Sequence, residues 1–304
     1  MRCFRGEYMR RRPQSLDYRI FMLIGYIITG AFALICLIPF LLIVSGSFTP
    51  EKTILTKGYS LIPPALTMDA YVAIFKDPTA ILRAYGVSIA LVIMGTGLGL
   101  FTSSMTGYVL HRKNFRYRNF FSFFFFFTTL FSGGLVPWYI LIVRYLNMKN
   151  TFAVLLIPNL MSVFNIIIMR TFFSSIPETI AESGKIDGAG EFTIYLKLML
   201  PMVTPALVTV GLFISLQYWN DWYLANLYIT NEKLYPLQFF LYKVLSSMEF
   251  TSKLSQLTGI PTPKIPRESF KLAMTVVATG PIVFLYPFAQ RFFIKGITIG
   301  AVKG

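Results

Sequence analysis

Apolar residues in this chain come in long unbroken runs separated by short, charge-dense stretches. Six runs are long enough to cross a bilayer core, which takes roughly 20 apolar residues: Ile20–Gly46, Ala84–Val109, Phe120–Val143, Thr151–Phe172, Met202–Ala225 and Leu272–Phe288. Backbone groups in lipid must be satisfied within their own segment, so each run predicts a helix. A transmembrane β-barrel would show short alternating segments, and none recur here. The expected fold is all-α: a polytopic membrane protein of six transmembrane helices. No polar stretch is long enough for a separate soluble core. The chain therefore reads as a basic segment 1–19 followed by one membrane domain 20–304. The first run is too long for a signal peptide and lacks a small-residue cleavage site, so it reads as a retained anchor.

Charge then orients the helices. The chain has a net charge of +15, which admits either an anionic partner or orientation in the membrane. Arg2, Arg5, Arg10, Arg11, Arg12 and Arg19 precede the first run, and Arg112, Lys113, Arg116 and Arg118 fill the second loop. The short third loop holds only Arg144 and Lys149. Positive residues favour the cytoplasmic side, which puts both termini and the even-numbered loops there. The longest loop, 226–271, is then external. Orientation accounts for most of the charge, and no nucleic acid is expected as a partner. A residual excess leans toward an anionic substrate. His111, the one histidine, reads as a solvated loop residue. Cys3 and Cys36 suggest no disulfide framework.

Small residues punctuate the second run. Gly95 with Gly99, and Ser103 with Gly107, each form a small-xxx-small pair, the pattern of closely packed membrane helices. The loop between the fourth and fifth runs is polar. Ser175 and Glu178 fit a capping box, and a short helix is expected from about Ile176 to Asp187. Gly188 and Gly190 can end it in left-handed geometry. Ala181, Gly184 and Gly188 form a nearly bare face that another protein could approach. Glu182 and Lys185 can pair three residues apart. A docking knob and a solvated connector are both open on these grounds.

The segment from Glu178 to Pro201 resembles the EAA loop of bacterial ABC importer permeases. Glu182, Asp187-Gly188-Ala189 and Leu200-Pro201 match its pattern, while Ser183 and Gly184 stand where it has two alanines. Ser132 to Pro137, Trp219-Asn220-Asp221-Trp222, Tyr286-Pro287-Phe288 through Lys295-Gly296, and Val302-Lys303-Gly304 are similar to carbohydrate-uptake permeases of the MalG-like family, LplC/YtcP type. The resemblance implies a multi-pass subunit of the bacterial cytoplasmic (inner) membrane. It also implies a second permease as heterodimer partner, a dimer of ATP-binding subunits, an external solute-binding protein and an oligosaccharide substrate. Glu178, Glu182, Gly184, Asp187, Gly188 and Pro201 would carry the coupling to the ATPase. ATP and Mg would sit on the partner subunits, since this chain has no G-x-x-x-x-G-K-[ST] sequence. It is expected to be a non-catalytic translocation subunit with no cofactor or metal of its own.

For the substrate path the candidates are the polar and aromatic residues within the runs: Asn159, Asn165, Gln217, Trp219, Asn220, Asp221 and Trp222. Lumen lining and structural duty are equally open for them. The substrate class spans neutral and acidic oligosaccharides, including alginate- or pectin-derived ones. Two rival functions have less support. An ion-coupled transporter would need ionisable residues near the midplane, and Asp221 is the only acidic residue in the six runs. A membrane enzyme would need a nucleophile, histidine or metal set beside Glu178, Glu182, Asp187 and Glu191.

Overall fold

The computed structural model describes residues 16–76, 78–258 and 266–283. Among these residues the regular structure is helical throughout, without a strand. We label the principal helices α1 (Leu16–Ser47), α2 (Pro78–His111), α3 (Arg118–Leu130), α4 (Val163–Ser174), α5 (Glu178–Ile186), α6 (Thr204–Asn220), α7 (Leu237–Thr258) and α8 (267–283).

Two of the predicted runs are single helices long and apolar enough to cross a membrane, α1 and α2. The next three are bent. Arg118–Leu130 turns by 113° into Leu135–Tyr145, Phe152–Asn159 by 46° into α4, and Glu191–Met202 by 87° into α6. Counting each bent pair as one span gives up to five among the described residues. The sixth run is described only to residue 283. Each break has a local cause. Gly134 adopts φ +84 in the first, a backbone conformation open to glycine. Pro158 sits in the second and Pro201 and Pro205 flank the third, where a missing N–H interrupts the helical ladder.

The chain divides into two compact units. One comprises residues 1–73 and 265–276. Within it the Glu51 carboxylate accepts from the backbone N–H groups of Glu268 (2.9 Å) and Ser269 (3.1 Å), capping the first turn of α8. Tyr59 Oη donates to Glu268 at 2.8 Å.

The other unit, residues 74–264 and 277–304, contains the main core. It is organised by the small residues of α2. A Cβ at Gly95 would overlap the Tyr218 ring, and one at Gly99 would lie 3.2 Å from Ile214, so this stretch seats α6. A Cβ at Gly107 would lie 2.8 Å from Met169 and 2.9 Å from the Arg170 nitrogen, so the next stretch seats α4. One strip of small residues thus receives two helices, as close packing in lipid favours. Phe123, Phe124, Phe126 and Phe127 on α3 remain exposed.

The bend before α4 leaves carbonyls without helical partners, and side chains supply them. Tyr218 Oη donates to Leu156 O at 2.7 Å, and Thr102 Oγ1 to Leu160 O at 3.2 Å. That satisfies acceptors that would be costly in an apolar setting.

Candidate functional site

The segment after α4 forms an elbow. α5 runs from Glu178 to Ile186, shorter than the sequence suggests. The predicted capping box does not form: Ser175 Oγ turns back to Phe172 O at 2.7 Å, and Pro177 occupies the N-cap position without a side-chain bond. Pro177 at φ −57 and ψ 133 already sets the entry to the helix. At the other end Gly188 adopts φ +77, as expected of a C-terminal glycine. Gly190 is extended at φ −69, so only one of the two glycines has left-handed geometry. A π-turn follows at Ile194–Met199, then Leu200–Met202 with Pro201 in its first turn. The wider turn accommodates a proline that cannot donate to the preceding turn.

The bare face of α5 points inward, not toward a partner. Ala181 and Gly184 are buried. A Cβ at Gly184 would lie 2.8 Å from Leu198 and 3.2 Å from Ile194, both in the π-turn of this same chain. Gly184 is therefore a packing position, where an alanine would make the Leu198 methyl shift. The exposed face instead presents Thr179, Glu182, Ser183, Ile186 and Asp187, with Gly188 at its end. Ile186 is 85% exposed, an apolar side chain held in the open at the tip of a polar helix. Pro201 is exposed as well, on the far side of the π-turn.

Charges fasten α5 to the end of α2. Lys113 Nζ lies 2.9 Å from Glu178 Oε2. Lys185 pairs not with Glu182 but with Glu191 Oε1, at 2.5 Å. Arg112 Nη2 reaches the same Glu191 oxygen at 3.6 Å, and Tyr108 Oη donates to Glu191 Oε2 at 3.2 Å. The Lys113 ammonium holds the Glu178 carboxyl below the ordinary carboxylate range, and that of Lys185 does the same for Glu191. Arg112 is buried, with its guanidinium 5.8 Å from the Tyr108 ring centroid. His111 is half-buried rather than solvated, its Nδ1 3.2 Å from Ser174 Oγ. Sequence reasoning missed the roles of Tyr108, Arg112, Lys113 and Glu191. The basic pair counted only as an orienting charge. The available signal was an Arg-Lys pair after a long helix and a glutamate past the next short one.

The seven path candidates divide. Asn159 Nδ2 donates to Asp221 Oδ2 at 2.8 Å, and Asp221 Oδ1 accepts from the backbone of Tyr223 (2.9 Å) and Leu224 (3.1 Å). Asp221 thereby caps the helix Tyr223–Tyr228 and ties it to the bend at Asn159. Trp219 is buried, its indole donating to Ala278 O at 3.1 Å, and Trp222 stacks on Tyr242 with centroids 4.7 Å apart. Asn165 is buried on α4, on the other side of the bend from Asn159, so the two share no helix face. Gln217 and Asn220 on α6 are exposed. Among the described residues no group of histidine, cysteine and carboxylate side chains could hold a metal. The C-terminal segments of the sequence resemblance, from Tyr286 onward, and most of the basic N-terminus lie outside the described residues.

A pattern described as "Binding-protein-dependent transport system inner membrane component" matches residues 95–299, which include the elbow and all seven path candidates. The chain belongs to this family. It is an inner-membrane permease component. It is 36% identical over 288 residues to protein LplC of Bacillus subtilis (strain 168), spanning 94% of this chain and 96% of LplC. It is equally similar, at 36% over 288 residues, to the polygalacturonan/rhamnogalacturonan transport system permease protein YtcP of the same strain, spanning 94% and 99% of the two chains. Its fold matches a chain of a bacterial ABC transporter involved in the import of the acidic polysaccharide alginate, with a TM-score of 0.78 and 28% identity. That match covers 93% of this chain and 99% of the other.

Proposed function

We propose that this permease component carries acidic oligosaccharide from an external solute-binding protein across the membrane, driven by partner ATPase subunits. What carries the substrate class is the similarity to a polygalacturonan/rhamnogalacturonan permease along 94% of the chain. The fold match to an alginate importer supports the same class. A second permease subunit completes the pathway. The termini and the elbow lie on the cytoplasmic side, in keeping with the arginines and lysines of the second loop.

The exposed face of α5, with Glu182, Ile186 and Asp187, and the turn at Gly188 form the contact for an ATPase subunit. Glu178 contributes through Lys113 by fixing the start of the helix, and Gly184 and Pro201 shape its support. ATP-driven closure of the partner dimer then moves the elbow, and the spans exchange inward- and outward-open states. Gln217 and Asn220 are the path residues left to meet substrate. Asn159, Asp221 and Trp219 hold the path walls in place.

A neutral oligosaccharide is the second reading, favoured by Asp221, a carboxylate among the path candidates that would repel an anion. The test is reconstitution of this chain with its second permease, ATPase subunits and binding protein in liposomes. ATP-dependent uptake of tri-galacturonate well above that of a neutral trisaccharide is expected. Equal or greater uptake of the neutral sugar would overturn the acidic assignment, and uptake without ATP would overturn the importer reading.

A further inference from the structure

The elbow contains an electrostatic junction that its exposed face does not need for docking. Glu191 follows the short helix and the Gly188 turn, and one carboxylate receives three groups from two separate elements. Lys185 comes from the last turn of α5. Tyr108 comes from the last turn of α2, and Arg112 directly follows that helix. Lys113 adds a second link, to the first residue of α5. Both ends of α5 are therefore tied to residues 108–113. The apolar packing of α5 goes elsewhere, onto Ile194 and Leu198 of the π-turn. Packing at Gly184 joins α5 to the segment that leads into α6, and the ion pairs add a connection to the end of α2. A buried arginine also has a strong requirement for a partner, because an unpaired buried charge is costly. Among the described residues Glu191 is the carboxylate within ion-pair distance of Arg112.

Building on the importer reading above, we propose that Glu191 is a positioning residue that couples the ATPase-contacting helix to α2. Motion imposed on α5 is delivered to α2 as well as to α6. α2 in turn seats α4 and α6 through its glycine strip, so a displacement at its end reaches the helices that carry the path candidates. A merely structural glutamate would change stability or assembly and leave the yield of transport per ATP alone. A positioning residue changes that yield.

The experiment compares the unaltered complex with Glu191→Gln and Glu191→Asp variants in liposomes, measuring uptake and ATP hydrolysis together. Glu191→Gln is expected to assemble and hydrolyse ATP while the sugar moved per ATP falls several-fold. Glu191→Asp keeps the charge and is expected to recover at least half of that yield. An unchanged yield in Glu191→Gln would overturn the inference and leave the importer reading intact. So would loss of assembled complex in both variants, which would make Glu191 a folding residue. Absence of ATP-dependent uptake in the unaltered complex would overturn the importer reading itself, and this inference with it.

Discussion

Glu191 at the elbow and Asp221 near the end of α6 are both acidic side chains with three partners, and they spend them in opposite ways. Glu191 gathers two cations and a phenol from elements far apart in the chain, and remains half exposed. Asp221 receives only neutral N–H donors, two of them from the helix that follows it directly. The Lys185–Glu191 pair is exposed to water, which screens it, while the buried Arg112 anchors the same carboxylate to the end of α2. A carboxylate with neutral donors in an apolar setting is expensive to disturb. The first arrangement suits a joint that carries motion between two helices, and the second suits a fixed bend. The two regions thus differ less in residue type than in what surrounds the charge.

The sharpest break of this contrast is Gly188→Arg. It imposes roughly 1–2 kcal/mol of left-handed backbone strain and places a long cation beside the exposed face of α5. Uptake should fall more than about tenfold, which corresponds to about 1.4 kcal/mol. The unfolding temperature of the isolated chain should also fall by a few degrees because of that strain, so the contact role is read from uptake by complex that has assembled. Normal uptake in an assembled complex would remove the contact role of the elbow.

At the other region the effects should reverse. Asp221→Ala leaves two backbone N–H groups and the Asn159 amide without their acceptor, at a cost of about 1–3 kcal/mol. Thermal unfolding in detergent should register this loss directly. Gln217→Ala should leave the unfolding temperature alone and raise the sugar concentration for half-maximal uptake. If Gln217→Ala changes neither, α6 does not present substrate contacts at this level.

A smaller effect separates packing from docking at Gly184. Valine there overfills the space beside Leu198 and should cost about 1–3 kcal/mol. Alanine, the residue of the family pattern, should be nearly neutral. Its gain in helix propensity of up to ~1 kcal/mol is offset by displacing one Leu198 methyl. Matched unfolding curves for the two variants would decide this, and a large loss of coupling in Gly184→Ala without loss of stability would return the residue to the docking face.

The smallest effect is in pH. Folding lowers the carboxyl pKa of both Glu178 and Glu191. Their ion pairs therefore contribute fully above the unfolded glutamate pKa of about 4.3. The contribution is lost as pH falls through the lowered folded values. The difference in unfolding temperature between the unaltered chain and Glu191→Gln should be flat from pH 6 to 8 and close only under more acidic conditions. A difference that grew on acidification would contradict the pairing.

Much of this was legible in the sequence. Run length alone located the apolar segments, and small-residue spacing on α2 located the helix contacts, though it could not say that two different helices share the strip. The bends were not legible from hydropathy, because an apolar run reads the same whether straight or turned by 87°. Ser132-Gly133-Gly134, Pro158 and Pro201 were the signals that could have marked them. The elbow was found through its family pattern. Its bare face was misread, because spacing shows that Ala181 and Gly184 share a side and cannot show what lies opposite. The partner of Lys185 was misassigned for a related reason: a residue three positions away competes with any carboxylate that the next turn brings closer.

The stapled bend before α4 also implies an order of events in time. The carbonyl of Leu156 accepts from a hydroxyl 62 residues further along the chain. A nascent chain that has delivered this segment to the bilayer still holds one acceptor unmet until Tyr218 has been synthesised and inserted. Thr102, already made, can serve Leu160 from the start. Of the two bonds at this bend, the one from Thr102 can form as soon as the fourth segment exists, and the one from Tyr218 only after the 62 residues beyond Leu156 have been made.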